Sequence, residues 1–133
     1  MRIYAIVFCL LLAACDMITL PWKISRLKHE ASQSVICEAG KDCDVKWARA
    51  LKWVKRKSKL GIAAQTDSLI KTGDSRDLNS DVAFTITKVS TGGTGYRIDY
   101  EARCDDDFGC TPPLLKLHAS FVEFVNGNSE KIK

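Results

Sequence analysis

The sequence predicts a small α+β domain, with helices packed on one face of a small antiparallel sheet and two disulfides stapling it. Three observations lead there. Residues 82–103 alternate apolar and polar around a Gly-rich turn, the pattern of a β-hairpin with one dry face. Residues 45–57 carry no Gly or Pro and repeat their apolar positions at helical spacing. Four cysteines beyond residue 30 fall into two segments of equal length, 37–43 and 104–110. A chain of 133 residues holds one such domain and no second. With 46% hydrophobic and 27% charged residues it has enough apolar surface to build a core. The net charge of +4 is too mild to imply nucleic acid.

The chain opens with a positive residue, Arg2, followed by the uncharged apolar run 3–12 and by Ala13 and Ala14. Ten apolar residues fall far short of the roughly twenty that a membrane-spanning helix needs. They suit the apolar region of an export signal. Leu12-Ala13-Ala14-Cys15 resembles the lipobox of bacterial lipoproteins. The resemblance implies cleavage before Cys15, a diacylglycerol on its sulfur and acylation of the freed amine. Residues 1–14 are then a signal peptide, and the covalent lipid on Cys15 is the membrane anchor; no other cofactor is expected. Two or three acyl chains hold a protein on a bilayer, where one alone is marginal. Asp16 resembles the residue that retains such proteins at the inner membrane of enteric-type bacteria. It implies the periplasmic face of that membrane, with the outer membrane or the cell surface as alternatives.

Residues 15–24 are expected to form a lipidated tether, with Trp22 near headgroup level. Ile24, Leu27, Ala31 and Val35 recur at helical spacing and predict a first helix over 23–36. Cys37, Cys43, Cys104 and Cys110 allow three pairings, and an exported domain favours disulfides over free thiols. Two local bridges are the expected arrangement, because each segment holds a Gly that lets the chain double back. Five residues between paired cysteines are too many for the usual zinc spacing, and no Cys-x-x-Cys suggests redox catalysis.

Asp44 is placed to cap the second helix, over 45–57. Trp47, Ala50, Leu51 and Val54 gather on one face; Arg49, Lys52 and Arg56 gather on the other, with Lys46 on a flank. Between Lys41 and Lys59 there are eight Lys or Arg against Asp42 and Asp44. A stripe of this kind is ordinarily a solvated face. Its functional reading is contact with anionic lipid headgroups through Lys46, Arg49, Lys52, Trp53 and Arg56, each basic residue near such a surface being worth about 1 kcal/mol. Trp47 is expected in the core, and Trp53, bordering the basic face, is the aromatic expected to meet a partner.

Residues 60–71 read as a strand broken near Thr66-Asp67, or as a hairpin. Residues 72–81 read as a loop. In the hairpin over 82–103, Tyr96, Ile98, Tyr100 and Ala102 face the core, and Arg97, Asp99, Glu101 and Arg103 face water. Pro112 and Pro113 introduce a last helix, stopped by Asn126-Gly127, and a polar tail follows over 128–133. The folded domain is assigned to 25–127.

Catalytic and metal-binding motifs are hard to find. His29 and His118 neighbour no recognisable nucleophile. Residues 91–95 are Gly-rich but lack the Lys and the following helix of a phosphate loop. Asp105, Asp107 and Gly109 match the start of a calcium loop, yet the late Glu is missing and Cys110 closes the segment early. Around residues 43–47 and the later Cys pair the chain resembles small bacterial envelope lipoproteins, a likeness that carries no activity. The expectation is a non-enzymatic binding or accessory module at the membrane surface, meeting anionic headgroups or an envelope protein. The alternatives are an envelope enzyme acting on peptidoglycan or lipid, and a factor that acts by occupying the membrane.

Overall fold

The structure, a computed structural model, describes residues 20–75 and 81–128. Three helices cover one face of a five-stranded antiparallel sheet. In chain order the elements are α1 (Leu20–Ser32), β1 (Val35–Glu38), α2 (Lys41–Lys57), β2 (Ile62–Gln65), β3 (Leu69–Thr72), β4 (Ala83–Ser90), β5 (Gly95–Arg103) and α3 (Leu114–Val125). The sheet order is β1-β5-β4-β3-β2. The expected α+β class therefore holds.

The β4–β5 hairpin is the centre of the sheet. Its turn needs two residues with positive φ, and Gly92 (83°) and Gly93 (84°) supply them. The register pairs Ile86 with Tyr100 and Phe84 with Ala102, so the apolar members of both strands share one face. Ile70 of β3 and Val35 of β1 join that face through Ile86 and Ile98. Arg97, Glu101 and Arg103 stand exposed on the other, as their alternation in sequence predicts. Residues 60–71 resolve into the hairpin alternative, β2 and β3, turned through Thr66, whose Oγ1 accepts from the N–H groups of Ser68 and Leu69.

The first helix differs from expectation at both ends. α1 begins at Leu20, so it takes in residues 20–24, and ends at Ser32. Val35, which continues the helical spacing, belongs instead to an edge strand, with Cys37 two residues on and on the same face. β-branched Val35 and Ile36 suit a pleated surface better than a helix end. α2 also starts earlier than expected. Gly40 (φ 94°) turns the chain and the helix runs from Lys41, leaving Asp44 inside the first turn rather than at the cap. Asp42 and Asp44 there suit the positive helix end.

Both disulfides are local, Cys37–Cys43 and Cys104–Cys110. The first ties β1 to α2 inside the core; Cys37 and Cys43 are both buried. The second closes the loop between β5 and α3.

The core is built round Trp53, which is 2% exposed. Phe84, Phe121 and Tyr100 present rings edge-on to it at centroid distances of 5.2, 5.3 and 5.9 Å. Its indole N–H donates to Ser120 Oγ at 3.2 Å, so the one polar atom of the side chain is satisfied. Phe121, Leu117 and Val125 bring α3 into the same cluster. At the end of β3, Thr72 is a buried polar residue: its Oγ1 accepts from Phe84 N–H at 2.9 Å, at the start of β4, and donates to Gly73 O at 3.0 Å.

Candidate functional site

α2 packs against both the sheet and α3, and this position decides which of its residues are available. Trp47, Ala50, Leu51 and Val54 turn toward the core, as their spacing predicts. Trp53 does too, against expectation. A helix buried on two sides buries more than one stripe, and the arc facing α3 takes in Arg49 and Trp53. Trp53 is therefore a core residue and not a surface aromatic, while Trp47 is only half-buried, with the Lys88 ammonium 5.1 Å from its ring centroid.

The expected basic cluster divides into two groups. Lys46 and Arg49 are tied into the fold. Lys46 Nζ donates to Ile36 O at 2.7 Å and pairs with Asp42 at 3.3 Å. Asp42 in turn accepts from Glu38 N–H at 3.0 Å, and that bond, with Lys46 beside it, holds its carboxyl below the usual range. Arg49 is half-buried and donates to Val125 O at 3.5 Å, at the end of α3. Lys52 and Arg56 are exposed, together with Lys41, Lys55 and Lys57 on the same helix. Among the described residues none of these five cations has a carboxylate within ion-pair distance. Arg56 has a different neighbour, the Phe124 ring, with its guanidinium 5.7 Å from the centroid. The candidate surface is thus the exposed side of α2, narrowed to Lys41, Lys52, Lys55, Arg56 and Lys57.

A second feature had no signal in the sequence. His118 of α3 stacks on Tyr100 of β5, with ring centroids 4.5 Å apart and planes 12° from parallel. The pair separates two open clefts. One, of about 290 Å³, is bounded by Ala31, Val35, Ile98 and Phe121; the other, of about 380 Å³, by Ala102, Leu114 and Leu115. Burial lowers the affinity of His118 for its proton and raises that of Tyr100. Ser34, Asp99 and His118 also line the first of these clefts.

The acidic segment after β5 is a turn. Asp106 Oδ1 accepts from Phe108 N–H at 2.9 Å, and the Phe108 side chain is fully exposed. Among the described residues no group of three or more His, Cys, Asp or Glu comes together as a metal site. None of the described helices is long and apolar enough to cross a membrane. Cys15 and Asp16, the expected lipidation and sorting residues, lie outside the described residues. No protein-family model, curated protein or solved structure matches the chain.

Proposed function

We propose that the chain is a lipid-anchored envelope protein, attached through Cys15, whose folded domain is a non-enzymatic binding or accessory module at the membrane surface. The observation that carries this reading is the set of five exposed cations on α2 with no carboxylate partner among the described residues. A helix that serves only as a solvated surface is commonly laced with i,i+4 pairs of opposite charge. Among the described residues α2 has one such pair, Asp42–Lys46 at its strand-facing start, and the five exposed cations are left for an external anion. Anionic headgroups are the matching partner, because a tethered domain is already within the short range over which a charged surface attracts it. Two disulfides in so small a domain support an oxidising compartment. Asp16 favours the outer face of the cytoplasmic membrane as the place.

The test is the intact mass of the membrane-extracted protein without reductant, with free thiols alkylated. A chain that begins at Cys15 and carries acyl groups, with no alkylated thiol, is the expected result. A soluble, unacylated species sinks the reading. The headgroup contact has its own measurement: replacing Lys52, Lys55, Arg56 and Lys57 with Gln should weaken sedimentation of a Cys15→Ser chain with anionic vesicles and leave its folding intact.

A further inference from the structure

We infer that the domain rests on the anionic bilayer through one end of its helix layer, the end where α3 finishes. The inference builds on the anchored reading above and adds the surface and its orientation. α1 and α3 run antiparallel. Arg26 and His29 share a cleft with Glu123 and Asn128, whereas Ala31, at the end of α1, and Ser34 just after it share one with His118 and Phe121, earlier in α3. The first turns of α1 therefore project past the end of α3. Residues 21–26 are all exposed, and they include Trp22 (55%) and Ile24 (44%), two of the few large hydrophobics left in water. Trp settles at headgroup level because its ring is apolar and its N–H is polar.

The same end gathers cations of α2. Arg49 reaches Val125 O, and Arg56 lies over the Phe124 ring, so both stand at the last turn of α3. Lys52, between them in sequence, is exposed. The opposite end of α3 follows directly on the acidic turn of Asp105, Asp106 and Asp107. This polarity extends through the molecule. The three helices hold eleven Lys or Arg against four Asp or Glu; the described strands and loops hold five against nine. An anionic surface pulls on the helix layer and repels the sheet side, which gives the domain a preferred attitude.

The tether fixes which end is near. Four residues lie between Cys15 and Leu20, and five steps of about 3.4 Å reach at most roughly 17 Å. A lipid on Cys15 thus keeps the first turn of α1 near the headgroups, and Trp22 and Lys23 with it. The outer sheet face and the acidic turn are then directed into the envelope space.

The experiment uses the acylated full chain, extracted and reconstituted in vesicles of phosphatidylcholine alone or mixed with phosphatidylglycerol. Lysine acetylation is mapped by mass spectrometry, and tryptophan emission is followed with brominated acyl chains as quencher. In the phosphatidylglycerol vesicles Lys23 and Lys52 should be shielded several-fold relative to detergent, while Lys71 on β3 and Lys116 near the acidic turn keep their reactivity. Quenching should vanish in Trp22→Phe. Acylated protein in which Lys52 and Lys116 are shielded alike, or in which Trp22 is not quenched, overturns the orientation and leaves the anchor standing. A chain whose mass shows no acyl group removes the anchor and the orientation together.

Discussion

Tyr100 and Trp53 occupy one aromatic cluster with opposite polar accounting. Trp53 spends its N–H on Ser120, whereas the Tyr100 hydroxyl is buried with no partner among the described residues. An unpaired buried hydroxyl costs about 1–3 kcal/mol. Tyr100→Phe keeps the ring and removes that cost, so its melting temperature should rise above wild type; a fall would mean that the hydroxyl is satisfied by ordered water. The titration has a definite sign. Burial raises the folded phenol's pKa above its ordinary 10.0, so above pH 10 the folded state retains a proton the unfolded chain loses. Stability is full below that pH and declines as pH rises, and Tyr100→Phe should flatten the alkaline limb of a denaturation profile. His118 works in the other direction. Its folded pKa lies below the ordinary 6.5 through desolvation, so its contribution is present above 6.5 and is lost as pH falls. His118→Gln should flatten the profile just below pH 6.5. Trp53→Ala, which empties the centre of the core, should cost about 3–5 kcal/mol in urea denaturation. Trp22→Ala, at an exposed site, should cost almost nothing on the same scale. That contrast was not legible in sequence. Spacing identifies one apolar face of α2, and it carries no sign that α3 covers a second.

Elements at the rim of the sheet show how an edge is kept from pairing with another chain. In β1, residues 35, 37 and 39 direct their backbone toward β5, as the Ala39 N–H to Thr94 O bond shows, so Ile36 and Glu38 direct theirs outward. Lys46 caps Ile36 O and Asp42 caps Glu38 N–H, and the two caps form an ion pair with each other. The opposite edge, β2, is interrupted by a register shift between Ile62 and Ala64. Charge and bulge are two established ways of blunting an edge. Replacing Asp42 and Lys46 together with Ala should leave the helix content unchanged and increase self-association, read by sedimentation velocity across a concentration series. Unchanged sedimentation would show that the caps are dispensable. Here lies the reason β1 was hidden. Val35 satisfies the helical spacing begun at Ile24, and a four-residue strand is too short to display its own period. The better signal was covalent: a bridge closing residues 37–43 requires the chain to reverse before α2. The β4–β5 hairpin, by contrast, was fully legible, because its alternation runs across both strands and its turn contains adjacent glycines. The candidate site was legible in part. Lys52 and Arg56 lie where the helical wheel puts them, and Lys46 and Arg49 are claimed by backbone carbonyls that no wheel contains.

Across the whole molecule the two disulfides perform the same task at two places. One ties β1 to the first turn of α2, and the other closes a loop within the passage from β5 to α3. On chain entropy alone each short loop is worth about 2.4 kcal/mol, and the two are equal because the loops are equal. Burial separates them. Cys37 and Cys43 are 2% and 3% exposed and belong to the core, whereas Cys104 and Cys110 are half-buried at its margin. Removing the first bridge therefore loosens core packing and the seating of β1 as well as opening a loop. Removing the second mainly frees the acidic turn. The paired substitution Cys37→Ala with Cys43→Ala should accordingly destabilise the domain by more than Cys104→Ala with Cys110→Ala, in equilibrium urea unfolding at the same pH. Amide exchange should show where the difference lies. With the first bridge gone, protection should fall in β1 and the first turns of α2 while the β4–β5 ladder keeps its own, since that hairpin draws its hydrogen bonds from neighbours on both sides. Equal losses for the two variants would mean that the bridges act only on the unfolded chain. In that case the helix layer is held to the sheet by the apolar core packed round Trp53.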